Sequence, residues 1–190
     1  MAITPETRDY RTFEMRALDT GEEDKQYRVE GYAAVFDEET VLYEYDGIEY
    51  KEVIDRSAFT GAEMRDVVMN YNHGGKPVAR TKNGTLQLTV DTRGLRISAD
   101  LSGTEEGRRL YEEIRGGYLD QMSFAFTVNK QEYDRAKHLR RITGFKRVFD
   151  VAAVDIPAYD GTSIAARSWA KAEAEREHAE ADKRRRLELK

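Results

Sequence analysis

Two dipeptides, Asp46-Gly47 and Asn83-Gly84, stand between runs of strand-forming residues and constrain the fold of this chain more than any other feature. Both central residues of a type I′ turn need positive φ, so Asp-Gly or Asn-Gly between alternating runs is the strongest short-range hairpin signal. The first predicts a hairpin within VLYEYDGIEYKEVI, the second one between KPVARTK and TLQLTV. Further strands are expected in YRVEGYAAVF (27–36), LRISADL (95–101), QMSFAFTVN (121–129), HLRRITGF and KRVFDVAAVDI.

Two helices interrupt these strands. Ser57 is placed to cap a short one through AFTGAEMR, which Gly61 weakens. Thr104 can cap a better one: Glu105 and Glu106 suit its positive end, Leu110, Tyr111 and Ile114 form one apolar face, and Gly116-Gly117 stops it. The expected class is therefore α+β, mostly β: a curved antiparallel sheet or β-barrel with helices packed outside. The chain shows no internal repeat.

From Arg167 onward the text changes to RSWAKAEAEREHAEADKRRRLELK. Glu180 with Arg184 and Asp182 with Arg186 place an acid four residues before a base, which supports a solvated helix. An apolar heptad stripe is absent, so a coiled coil is not expected. The division that follows is a domain at 1–166 and a charged helical or disordered extension at 167–190.

Composition narrows the function classes. The net charge is -5, from 31 basic and 36 acidic residues, which argues against a nucleic-acid binder. With no cysteine, disulfide frameworks and thiol catalysis are excluded. The opening MAITPETRDYRTFEMRA lacks the apolar core of a signal peptide, and no apolar run approaches the roughly 20 residues of a membrane span, so a soluble intracellular protein is expected. Neither a phosphate-binding G-x-x-x-x-G-K-[ST] nor an H-E-x-x-H motif occurs. His138 and His178 lie in charged surroundings away from His73, so no metal site and no cofactor are expected.

What remains is a set of three polar side chains in strand-like segments. In DVVMNYNH, alternation puts His73 at a strand's end, on the side of Val67, Met69 and Tyr71, just before Gly74-Gly75. In QMSFAFTV, Met122, Phe124, Phe126 and Val128 take the core face, leaving Ser123 among the small residues of the other, where a substrate could approach. In VFDVAAVDIPA, Asp150 shares a face with Val148, Ala152 and Val154, and an acid among aliphatics needs a partner. Each has a plain alternative: a small strand filler for Ser123, a locally bonded turn residue for His73, and an Arg141 or Arg147 ion pair for Asp150. Residue pattern alone does not decide between these and a Ser-His-Asp triad, which is recognised by geometry.

The order of segments adds a resemblance. EGYAAVFD, EVIDRSAF, MNYNHGGKPVART, GGYLDQMSFAF and FDVAAVDIPAYDGTSI, taken together from about Tyr27 to Ala166, resemble the prohead proteases of tailed bacteriophages, capsid-maturation serine proteases related in fold to herpesvirus assemblins. The resemblance implies His73 as the catalytic histidine, Ser123 as the nucleophile and Asp150 as the third member, with Asp155 as fallback and Asp120 disfavoured because it precedes the strand. Ala125 stands where the family usually has glycine, and Asp-Val-Ala-Ala where Glu-Val-Ser is common. Tyr159-Asp160-Gly161 is the candidate for oxyanion donors. Also implied are cleavage of the scaffold or delta region of the major capsid protein and of the protease itself, and action inside the assembling prohead in the host cytoplasm; a homo-oligomer is expected, without nucleic acid or membrane as partner, and if the tail is released a cut around Ala165 to Ala170 is sterically simplest. The rival readings are a non-catalytic β-barrel structural or scaffold protein of a capsid, and a protease fused to a scaffold segment beyond Lys190.

Overall fold

Ten strands and two helices account for most of the chain in a computed structural model, which describes residues 9–18, 27–155 and 164–188. The strands are β1 (Asp9–Ala17), β2 (Arg28–Val35), β3 (Thr40–Tyr45), β4 (Ile48–Ile54), β5 (Val68–Tyr71), β6 (Gly74–Arg80), β7 (Leu86–Val90), β8 (Gly94–Asp100), β9 (Gln121–Asp134) and β10 (Leu139–Val154). Helix α1 is Glu105–Arg115 and α2 is Ile164–Glu188. The main sheet runs β3-β4-β10-β9-β1-β2-β8-β7, and the β5–β6 hairpin joins it on β10.

The mostly-β class with helices is as expected, but two features of the sheet differ. It is mixed rather than antiparallel throughout, because β4 and β5 both run parallel to β10, at its first and last residues respectively. Among the described residues β3 and β7 remain edges, so the sheet does not close into a barrel. The two expected strands at 138–156 are one: β10 runs sixteen residues, its pairing with β9 interrupted by bulges. Such irregularities bend a long strand without ending it.

Local chemistry explains which expectations hold. Asp46 and Gly47, with φ of 52° and 77°, make the tight turn between β3 and β4. Gly84 also has positive φ, yet it caps a 3-10 turn over Thr81–Asn83, and β6 pairs with β5 instead of β7. The expected hairpin there is therefore absent. The segment after Ser57 forms successive turns rather than a helix: Asp55 captures both the hydroxyl and the backbone N–H of Ser57, and Gly61 has φ of 78°. Helix α1 forms as read, with Thr104 Oγ1 accepting from the Gly107 N–H at 2.9 Å and Leu110, Tyr111 and Ile114 buried. A side chain at Gly107 would lie 2.5 Å from the Leu101 carbonyl oxygen, so this helix packs at a distance only glycine allows.

The core lies on the face of β9 and β10 that carries Phe124, Phe126 and Phe145, all fully buried, with the ring of Phe59 from the turns after β4 tilted against that of Phe145, centroids 4.6 Å apart. Truncating one such ring typically costs about 3–5 kcal/mol. The helix expected at the C-terminus is present but is not merely solvated. Ala170 and Ala174 are fully buried against Leu42 and Tyr50. Glu177 accepts from the hydroxyls of Tyr50 and Tyr133, at 3.1 and 2.9 Å, and contacts His138 Nδ1 at 2.8 Å.

Candidate active site

His73 is held by backbone geometry that few sequences choose. Tyr71 pairs with Gly74, so Asn72 and His73 form the two-residue turn of the β5–β6 hairpin, with φ of 48° and 55°. The second position of such a turn ordinarily favours glycine, and here it is filled by histidine, while Gly74 and Gly75 lie inside β6. A non-glycine residue in this region carries a cost of order 1 kcal/mol, and strain of this kind gathers at functional sites. The alternation that would carry past Tyr71 stops at the turn, which aims the imidazole back toward β10. There His73 Nδ1 lies 2.5 Å from Asp150 Oδ1.

Asp150 sits where a carboxylate has few alternatives. Its backbone is paired on both sides, with Ala125 of β9 and Val68 of β5, and the residue is 5% exposed. The arginines that offered an alternative are elsewhere engaged: Arg141 bonds Asp55 at 3.1 Å, and Arg147 stacks on Phe149. In the tautomer protonated at Nδ1, Asp150 Oδ1 accepts that proton and the lone pair lies on Nε2. Nε2 is shielded from solvent.

Ser123 lies on the same sheet face. It pairs with Ala152, and Ala125 pairs with Asp150, so Ser123 and Asp150 are diagonal neighbours across one strand pair. Such neighbours stand about 7–8 Å apart, a gap that one imidazole with a hydrogen bond at each end can bridge. Between them the face presents only Ala125 and Ala152, both fully buried. That face was expected to be open to a substrate. It is not: Ser123 itself is 4% exposed. Its strand is flanked by β1 and β10, so the hydroxyl is presented by the sheet and needs no sharp turn.

The remaining candidates separate cleanly. Asp155 accepts from the Tyr71 hydroxyl at 2.8 Å, which pushes the phenol pKa up, so the fallback acid is engaged with another side chain. Asp120 precedes β9, and its carbonyl accepts from the Met15 N–H at 2.8 Å. Tyr159-Asp160-Gly161 lies outside the described residues. Asn70 was passed over in the sequence. It pairs with Ala152 from β5, is 7% exposed, and its Oδ1 has no hydrogen-bond partner among the described residues. Only the parallel register of β5 on β10 brings it to this face, and no local pattern signals that. Among the described residues no group of three His, Asp or Glu side chains is arranged to hold a metal, and no helix is long and apolar enough to cross a membrane.

A cleft of about 920 Å3 opens beside His73, between the β5–β6 hairpin and α1, with Tyr71, Gly74 and Leu110 in its lining. Ser123 and Asp150 lie on a buried sheet face, and the turn that carries His73 stands between that face and the cleft. No curated protein and no solved structure matches the chain. One family model, described as caudovirus prohead serine protease, matches residues 11–177, a span that includes all three residues and the buried part of α2. The chain belongs to the caudovirus prohead serine protease family.

Proposed function

We propose that this chain is a serine endopeptidase that cuts the scaffold or delta region of the major capsid protein, and itself, within the assembling prohead in the host cytoplasm. The observation that carries the reading is the 2.5 Å contact between His73 Nδ1 and buried Asp150, on the sheet face that also bears Ser123. In this scheme the Ser123 hydroxyl attacks the scissile carbonyl while His73 Nε2 takes its proton. The protonated imidazole, stabilised by Asp150, then gives that proton to the leaving amine, and water completes the cycle by the reverse sequence. Asp150 stays ionised throughout and serves to hold the tautomer.

Self-cleavage around Ala165 to Ala170 carries a structural condition. This stretch lies in the first turns of α2, and Ala170 is fully buried. A protease site takes its substrate extended, so cutting there requires those turns to unwind and Ala170 to leave the sheet. Self-cleavage is accordingly slower than cleavage of an already extended capsid segment.

The test is co-expression with the cognate major capsid protein, comparing the native chain with Ser123→Ala by intact mass. Loss of a serine nucleophile removes about six decades of turnover in a well-studied protease of another fold, so the contrast is close to all-or-none. Shortened capsid protein with Ser123 present and full-length protein without it is the expected result. Equal cutting in both samples would remove Ser123 from its role. Assembled shells cut by neither would favour the rival reading, a structural protein of the capsid.

A further inference from the structure

We infer that the cleft beside His73 is the subsite that selects substrate: it takes an extended stretch of two or three residues next to the scissile bond, with one large apolar side chain against α1. This inference rests on the protease reading and adds which segments it cuts. Three observations carry it.

The cleft adjoins the turn that carries His73, since Tyr71 and Gly74 flank Asn72-His73 on either side and both line it. Its volume of about 920 Å3 is at the upper end for ligand pockets and exceeds what one side chain fills. Its lining mixes a floor of Val78, Leu110 and Leu119, each nearly buried, with two partly or largely exposed rings, Tyr71 and Tyr118. Tyr118 is 82% exposed, the largest exposure among the large apolar side chains of the described residues. Buried aliphatics below and wet aromatic rings above suit an apolar side chain that enters from solvent.

One wall of the cleft is also a sheet edge. Among the described residues β6 bonds only to β5, and Gly74 to Pro77 are exposed along it. Pro77 fits an edge position, where a missing N–H disturbs no ladder. An extended peptide can add to such an edge through its own backbone, with alternate side chains entering the neighbouring pocket. Gly74 and Gly75 leave that approach unobstructed: a Cβ at Gly75 would meet nothing within 4 Å, and one at Gly74 only the Asn72 carbonyl oxygen at 3.8 Å.

The charges of the rim set what is refused. Lys76 is paired with Glu106 at 3.2 Å and Arg109 with Glu105 at 2.5 Å. Glu113 also lines the cleft and has no ion-pair partner among the described residues. An acidic side chain entering there loses water, gains no free cation and faces Glu113.

The experiment uses the full chain co-expressed with its major capsid protein, whose cut site is first located by intact mass. Each residue within three positions of the cut is then replaced in turn by Asp. The expected result is one large apolar position, Leu, Met, Phe or Tyr, at which Asp lowers cleavage by about tenfold or more. The chain carrying Glu113→Lys should restore part of the cutting of that Asp-bearing capsid protein, because it exchanges a repulsion for an attraction. Absence of any such position, or tolerance of Asp at all of them, would overturn the subsite. So would an Asp block that Glu113→Lys leaves unchanged. The parallel Ser123→Ala sample separates the two ideas: cutting that depends on Ser123 but ignores flanking chemistry retains the protease and removes the subsite, while cutting independent of Ser123 removes both.

Discussion

The two ends of β10 each have a buried carboxylate beside them, and the difference lies in what faces it. Near the first residues, Glu52 of β4 is held between Arg11 and Arg140, with Arg140 also bonded to Gln131 and stacked over Trp169 of α2. All three charged residues are at most 5% exposed. Near the last residues, Asp150 faces His73. A guanidinium carries donors and no acceptor, so the Glu52 cluster is suited to hold strands together. An imidazole has one ring nitrogen that can donate while the other accepts, which is what the proposed proton transfer at the Asp150 end requires. Burial thus marks a polar group as important, and the partner's chemistry says for what.

This contrast makes separable predictions. The largest effect is on turnover alone: Ser123→Ala or His73→Ala should each cost about six decades in cleavage rate, and the double variant no more than either, because the residues act as a unit. Asp150→Asn should cost about four decades, since it favours the wrong imidazole tautomer. Capsid-protein cleavage followed by mass spectrometry checks all of these, with circular dichroism showing an intact fold. Additive losses in the double variant would break the comparison at its active end.

At the other end, the effect should fall on stability. Glu52→Ala leaves two buried guanidiniums facing each other and is expected to cost about 3–5 kcal/mol, a large part of the 5–15 kcal/mol that folded domains possess. Urea unfolding measures this. A variant that lost cleavage with unaltered stability would show that the ionic cluster is not merely structural.

A smaller effect concerns α2. Burial and the Glu177 carboxylate push the Tyr50 phenol up to about 12 from its usual 10. The folded state therefore binds that proton more tightly than the unfolded state does. The contribution is complete below pH 10 and is lost as pH rises from 10 to 12. Thermal melts across this window should show a fall in Tm that Tyr50→Phe reduces. Smallest is Thr104→Ala, which removes the cap of α1 and should cost about 1 kcal/mol, measured in the same melts.

The legible parts of the molecule are those whose causes are local. Asp46-Gly47 dictates its turn by positive φ, and Thr104 its helix start by one hydroxyl three residues from the N–H it accepts. His73, Ser123 and Asp150 stood out because each was an unusual residue in its segment, and a family resemblance joined them. The site's construction was hidden for two reasons. The turn at Asn72-His73 uses a residue that its geometry disfavours, and β5 meets β10 in parallel across about 80 residues of sequence. Strand β1 was missed because its DYRTFEMRA alternates charges, and Arg11 is inside only by pairing with Glu52, 41 residues away. In α2 the packing uses one ring, two alanines and one glutamate, Trp169, Ala170, Ala174 and Glu177, and so few apolar contacts leave no apolar stripe to read.

The central claim is that His73, oriented by Asp150, activates Ser123, and the most direct measurement is covalent labelling. Purified proheads containing the full chain would be treated with a small fluorophosphonate, which reacts only with an activated serine, and the adduct located by peptide mapping. The predicted result is a single adduct on Ser123 in the native chain and none in His73→Ala. An adduct on another serine, or labelling of Ser123 that persists without His73, would contradict it.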